Sequence, residues 1–187
     1  MLKQYCGYVS IIGKPNVGKS SIINTILKKK ISITSRKSQT TRNNILGVKT
    51  SKNKQIIFID TPGMHIKSQK TMNKILNKSA QGIIDDSDII LFVLQRLALD
   101  TEDRLILEKL NEIKPKIICV INKIDEVENK NRLLPFIDML SEKYKFEEIH
   151  MISAKNDDGI DNLLSTIEEQ LPENNHLYDE NFDVQDK

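Results

Sequence analysis

The chain has 187 residues, 39% of them hydrophobic and 29% charged, and a mean hydropathy of −0.38. Those values suit one soluble domain with a sizeable core. No apolar run approaches the roughly 20 residues that span a bilayer, and residues 1–7 lack the apolar stretch of a signal peptide, which argues against export. The net charge of +2 conceals an asymmetry. Up to Ile59 there are twelve Lys or Arg and no Asp or Glu, and from Asp60 onward the balance is −10. A cationic first third suits a polyanionic partner, nucleotide or nucleic acid; the alternative is a solvated, lysine-rich surface.

Residues 8–12 (YVSII) read as a buried strand, followed by a Gly-bearing loop and a helix over 20–27. Residues 44–50 and 54–59 read as two strands joined by a tight turn at Ser51-Lys52-Asn53, too short for a crossover, so this pair is expected to be antiparallel. Residues 89–94 and 116–121 are continuous apolar runs, as for strands buried on both faces. Between them, 101–113 carries Leu105, Leu107, Leu110 and Ile113 among charges, an amphipathic helix. Residues 131–144 repeat that pattern, 149–152 is a last short strand and 160–171 a last helix closed by Pro172. The alternation predicts an α/β fold, a mainly parallel sheet covered on both faces. From Glu173 to Lys187, with five acids and one Lys, the periodicity stops, as in a linker or loose tail. Cys6 and Cys119 have no CxxC partner or nearby His and read as buried structural thiols in a reducing cytosol.

Four segments carry the chemistry. Gly13-Lys14-Pro15-Asn16-Val17-Gly18-Lys19-Ser20, with Ser21 behind it, fits G-x-x-x-x-G-K-[ST] between a strand and a helix. Its glycines let backbone N–H groups curl around a β-phosphate, Lys19 reaches the β- and γ-phosphates, and the Ser20 hydroxyl ligates Mg²⁺. Asp60-Thr61-Pro62-Gly63 ends the third strand. Asp60 can hold Mg²⁺ directly or through water, and the Gly63 N–H is placed to sense a γ-phosphate. Asn122-Lys123-Ile124-Asp125 and Ser153-Ala154-Lys155 end two later strands, and open α/β sheets bind ligands at such ends. Asp125 can accept both N1–H and N2–H₂ of guanine. Adenine lacks that donor pair and would leave a buried carboxylate unpaired. The Lys123 stem would pack along the purine, Asn122 would tie this loop to the phosphate loop, and the Ala154 N–H would meet guanine O6. A plain helix cap at Asp125 is the alternative.

In this order the segments resemble the GTPase domain of the Era family, in the translation-factor-related class of P-loop GTPases. The discriminating stretch is residues 31–42 (ISITSRKSQTTR), joined by Met64-His65 after Gly63 and by the 171–177 segment LPENNHL. The resemblance implies a Ras-like three-layer α/β/α domain over residues 1–171, a mainly parallel six-stranded sheet with one antiparallel pair, and a linker or tail at 172–187. It also implies a GTPase binding GTP or GDP with Mg²⁺ at Ser20, Thr41 and Asp60. The implied partners are 16S rRNA and the small 30S ribosomal subunit, for a cytoplasmic monomer partly at the inner face of the membrane. Family members carry a C-terminal KH domain, and no GxxG loop of that type follows Pro172. Either the chain is a fragment or the protein is shortened, and rRNA binding without that domain is expected to be weak. A tRNA-modification or other ribosome-assembly GTPase domain is the related alternative, disfavoured by ISITSRKSQTTR.

Thr41 matches the effector-loop threonine, whose hydroxyl would join Mg²⁺ only with a γ-phosphate present; an ordinary loop threonine is the alternative. Arg36, Lys37 and Arg42 flank it, so their charge can be presented to RNA in the GTP state. After Asp-Thr-x-Gly, many GTPases place a Gln that orients the attacking water. Here Met64 stands there and cannot. Asn16 matches an Asn that in related GTPases helps hold K⁺ against the phosphates, with loop capping as the alternative, and His65 is a base or a bystander. Slow intrinsic turnover is expected. Gln95-Arg96 departs from the residues often seen after that strand and is expected to lie away from the nucleotide loops.

Overall fold

The computed structural model describes residues 3–28, 44–60, 86–95, 97 and 99–179, with only the backbone of Asn44 and Asp60. In chain order these form β1 (Tyr5–Ile12), α1 (Lys19–Lys28), β2 (Asn44–Ser51), β3 (Lys54–Asp60), β4 (Ile89–Gln95), α2 (Thr101–Leu110), β5 (Lys116–Asn122), α3 (Leu133–Lys143), β6 (Glu148–Met151) and α4 (Ile160–Gln170). The six strands make one sheet in the order β2-β3-β1-β4-β5-β6. All neighbours run parallel except β2 and β3, which pair antiparallel around the two-residue turn Lys52-Asn53. Lys52 takes a left-handed φ of 51° there. The sheet class, the one antiparallel pair and the order of elements agree with the sequence reading.

Two-residue alternation sends each strand's apolar side chains to opposite faces. On one face Val9, Ile11, Phe58, Leu91, Val93, Ile118 and Val120 pack against Ile22 and Ile26 of α1 and Leu163 and Ile167 of α4. On the other, Ile12, Ile90, Phe92, Leu94, Cys119 and Ile121 pack against Ile106, Leu107 and Leu110 of α2 and Phe136 and Leu140 of α3. A smaller cluster, Cys6, Ile45, Val48, Ile57 and Ile59 with Tyr8 and Tyr178, covers the β1-β3-β2 end. Both cysteines are buried and unbridged, and burial pushes both thiols upward in pKa, so neither offers a thiolate. Helix α2 starts with a capping box in which the Asp100 side chain accepts from the Glu102 and Asp103 N–H groups and Asp103 returns a bond to Asp100. Helix α3 carries its proline, Pro135, in the first turn, where the missing N–H costs nothing.

The chain after Pro172 departs from the expectation of a loose tail as far as residue 179. β4 pairs with β1 only from Val9 onward, so the β4 side of the first residues of β1 needs another partner. The tail supplies it. Cys6 N–H donates to Pro172 O (3.1 Å), Asn174 N–H to Gln4 O (3.1 Å), and Glu173 pairs antiparallel with Tyr5. Fully buried Gln55 then fastens the segment. Its Oε1 accepts from Leu177 N–H (2.9 Å) and Tyr178 N–H (3.0 Å), and its Nε2 donates to Tyr178 O (2.8 Å) and Thr50 Oγ1 (2.9 Å). A short polar stretch has no periodicity to reveal such docking, because its bonds are made by backbone groups. Gln55→Leu is expected to strip the Leu177 and Tyr178 N–H groups of their acceptor and cost about 2–3 kcal/mol. Urea unfolding should read that loss, and amide exchange should show it opening first at 177–178.

Candidate nucleotide-binding site

β1 stops at Ile12 and α1 starts at Lys19, leaving six residues to turn back over the helix N-terminus. Gly13 (φ 152°) and Gly18 (φ 100°) make the turn, and a Cβ on either would overlap a neighbour, Val93 O at Gly13 and Asn122 Nδ2 at Gly18. Asn16 sits at φ 65°, a conformation asparagine tolerates better than most residues. Lys19 is only 8% exposed. Its Nζ donates to Gly13 O and Lys14 O, both at 2.7 Å. The amine therefore lies across the loop, at the end where α1 presents its unpaired N–H groups. Ser20 is exposed in the first turn of α1 and Ser21 follows it.

At the ends of β5 and β6 a second structure closes on the first. Asn122 is 2% exposed. Its Nδ2 donates to Val17 O (2.8 Å) and its Oδ1 accepts from Ala154 N–H (3.1 Å), so one carboxamide joins all three loops. Lys123 at φ 63° turns the chain outward, and Asp125 follows in a short 3₁₀ turn (Ile124–Glu126). The Ser153 hydroxyl donates to Asp125 Oδ1 (2.6 Å). That bond, helped by the charges of Lys155 and Lys123, holds the Asp125 carboxyl below its ordinary pKa. A cleft of about 400 Å³ opens between α1 and this loop pair, lined among others by Ser21, Thr25, Lys123, Asp125, Ala154 and Lys155. Thr25 Oγ1 donates to Ala154 O (3.3 Å) and ties α1 to the far wall.

The structure thus gathers Gly13, Asn16, Gly18, Lys19, Ser20, Asn122, Lys123, Asp125, Ser153, Ala154 and Lys155 at one edge of the sheet. Thr41, Thr61, Pro62, Gly63, Met64 and His65 lie outside the described residues, as do Arg36, Lys37, Arg42 and the Asp60 side chain. Three expectations change. The Ala154 N–H donates to Asn122 here, so a guanine O6 would have to share it. Asp125 is exposed, so the dry surroundings that make base discrimination steep have to arrive with the base itself. Gln95 stands in register with Asn122 at this same edge, with its Oε1 buried and unpartnered, and not away from the nucleotide loops. Asn24, Thr25, Lys28 and Glu126 line the cleft without having been singled out. Their placement follows from helical spacing after Ser21 and from the turn after Lys123, which a motif alone does not display.

A phosphate-type loop at the first strand, a guanine-type carboxylate at the fifth and a doubly wound sheet between them define a P-loop GTPase domain. Residues 8–123 match the model of the family described as 50S ribosome-binding GTPase, and the chain belongs to that family. It is similar to GTPase Era of Haemophilus influenzae, 43% identical over 180 residues, which span 96% of this chain and 60% of that protein. GTPase Era of Coxiella burnetii is 45% identical over 173 residues, 92% of this chain and 58% of the relative. The chain therefore spans about 60% of the length of these curated relatives. A crystal structure of Era with MgGDPNP and nucleotides 1506–1542 of 16S ribosomal RNA superposes with a TM-score of 0.77 at 37% identity, covering 96% of this chain and 61% of that one. The G domain of the Thermotoga maritima FeoB iron transporter shares the fold, with a TM-score of 0.60 at 23% identity and coverage of 89% of this chain and 99% of that one.

Asn122→Ala is expected to leave Val17 O and the Ala154 N–H buried without partners, at about 2–4 kcal/mol in urea unfolding. Asn122→Asp keeps the acceptor for Ala154 but sets a carboxylate against Val17 O, so it should destabilise at least as much.

Proposed function

We propose that this chain binds GTP and GDP and hydrolyses GTP, as the catalytic switch of a protein of the Era kind. The observation that carries the reading is the exposed Asp125 carboxylate, which accepts a bond from the Ser153 hydroxyl and lines a cleft beside α1, the helix that begins at Lys19. An ionised carboxylate on two adjacent ring donors suits guanine, and the Lys19 amine, held across the loop by Gly13 O and Lys14 O at the start of α1, suits its phosphates. Ser20, Thr41 and Asp60 would hold Mg²⁺, since a helix-start hydroxyl and a strand-end carboxylate are hard oxygen donors of the required kind. The ion would neutralise charge between the β- and γ-phosphates. The residues of this chain do the rest. Lys19 fixes the phosphates, Asp125 the base and Asn122 their spacing, while the Thr41 hydroxyl and the Gly63 N–H answer to the γ-phosphate.

Met64 is apolar and cannot orient the attacking water, and Asn16 is the residue that would help hold K⁺ against the phosphates. A second reading, a GTP-loaded module that hardly hydrolyses, is favoured by that same Met64. One assay separates them. Purified chain should turn GTP over slowly in NaCl and faster in KCl, and should bind GDP more tightly than ADP by about 10⁴. Equal rates in both salts remove K⁺ from the mechanism, and no turnover in either leaves the binding module.

The relative crystallised with a 16S rRNA segment and the lysine-rich first third support action on the small ribosomal subunit. In the same reading the protein is a cytoplasmic monomer that touches the membrane face peripherally, and residues 172–187 are a linker or tail. No helix among the described residues is long and apolar enough to cross a membrane. Weak co-sedimentation with 30S subunits is expected with a GTP analogue and not with GDP, because Arg36, Lys37 and Arg42 would be presented to RNA in the GTP state; the KCl concentration is stated because phosphate contacts weaken steeply with salt.

A further inference from the structure

The charged side chain of Lys14 is directed away from the cleft. Its Nζ pairs with Asp103 Oδ2 (2.9 Å) and with Asp100 Oδ2. Asp100 holds the start of α2 with its other oxygen, Oδ1, which accepts the Glu102 and Asp103 N–H groups at 3.0 Å each. Asp103 Oδ2 also accepts the Asp100 N–H (3.2 Å), and the Asp103 side chain is only 3% exposed. Its second oxygen, Oδ1, is buried without a partner. Lys14 is the cation that the described residues place against this carboxylate, so taking the amine away would strand a buried charge.

The backbone of the same residue faces the other way. Lys14 O accepts from Lys19 Nζ at 2.7 Å. A loop turned by two glycines has little stiffness of its own, and this one is held from outside at two points. Asn122 grips its second half through Val17 O, and the aspartates of α2 grip its first half through the Lys14 side chain.

We propose that Lys14 is a positioning residue for phosphate binding, whose pairing with Asp100 and Asp103 sets the carbonyl that aims Lys19, without touching the nucleotide itself. The proposal rests on the reading of this loop as a guanine-nucleotide site. A lysine that instead swung to the phosphates would have to abandon Asp103, and the two schemes predict opposite behaviour for the aspartates.

The test compares Lys14→Ala, Lys14→Arg, Asp103→Asn, Asp100→Asn and the Lys14→Ala/Asp103→Asn double variant of this chain. Asp100→Asn keeps the Oδ1 acceptor that caps α2 and alters only the oxygen facing Lys14, so it serves if Asp103→Asn fails to fold. Affinity for a fluorescent GDP is measured alongside amide exchange at residues 14–19 in nucleotide-free protein. Lys14→Ala and Asp103→Asn are each expected to weaken GDP binding by a similar factor, about tenfold. The double variant should be no worse than either, Asp100→Asn should weaken binding in the same direction, and Lys14→Arg should restore it. Exchange at 14–19 should rise in every variant that weakens binding. If Lys14→Ala weakens binding while the Asn variants leave it unchanged or tighter, or if the losses add in the double variant, the lysine acts directly and the proposal falls. Should the unaltered chain bind no guanine nucleotide, the functional reading fails. Exchange then decides the clamp alone, and unchanged protection at 14–19 would overturn it.

Discussion

The site depends on one side chain amide. Asn122 ends a strand whose apolar side chains leave it no freedom to slide, and from that fixed point it reaches backward to the phosphate-type loop and sideways to the Ser153-Ala154 turn. Neither loop has much rigidity of its own, since one is turned by glycines and the other is a bend after a four-residue strand. Because both are hydrogen-bonded to the same group, the spacing between amine and carboxylate is set by the length of a carboxamide and by the register of β1, β4 and β5. The steric demand at Gly18 belongs to the same arrangement, because Asn122 occupies the space a Cβ would need.

Electrostatics at the edge follow a similar economy. Asp125 is exposed and would be ionised in any case, yet the Ser153 hydroxyl reinforces that state and fixes one oxygen. Asp103 is the opposite case. Burial pushes its carboxyl up despite the nearby Lys14. Asp100 ends below its ordinary value, because the bonds from Lys14 and from the Asp103 N–H outweigh its partial burial. Two acids three residues apart on the same helix start thus meet the same cation in different surroundings.

Much of this was legible in the chain. The apolar runs at 89–94 and 116–121 have only one way to be covered on both faces, and the phosphate-loop pattern between a strand and a helix fixes where Lys19 stands. What stayed hidden were contacts between segments that share no pattern. Nothing in the order of residues pairs Lys14 with Asp103, 89 positions later. Gln55 read as one polar residue in a strand, and only its burial beside the backbone of Leu177 and Tyr178 reveals its role. Gln95 lies beside Asn122 because strand register, not sequence distance, sets its neighbours.

The Gln55 fastening has a mechanical consequence. The segment from Pro172 to Tyr178 lies along the start of β1 and hooks onto the start of β3, whose far end is Asp60. Tension drawn on the chain at residue 179 would meet the Gln55 bonds first and the short pairing with Tyr5 next, before any strand of the core bore load. These bonds would give way one after another, peeling and not shearing. The domain thus carries a tear strip at the end of the sheet opposite the nucleotide loops, able to lengthen the chain by several residues while the site keeps its arrangement.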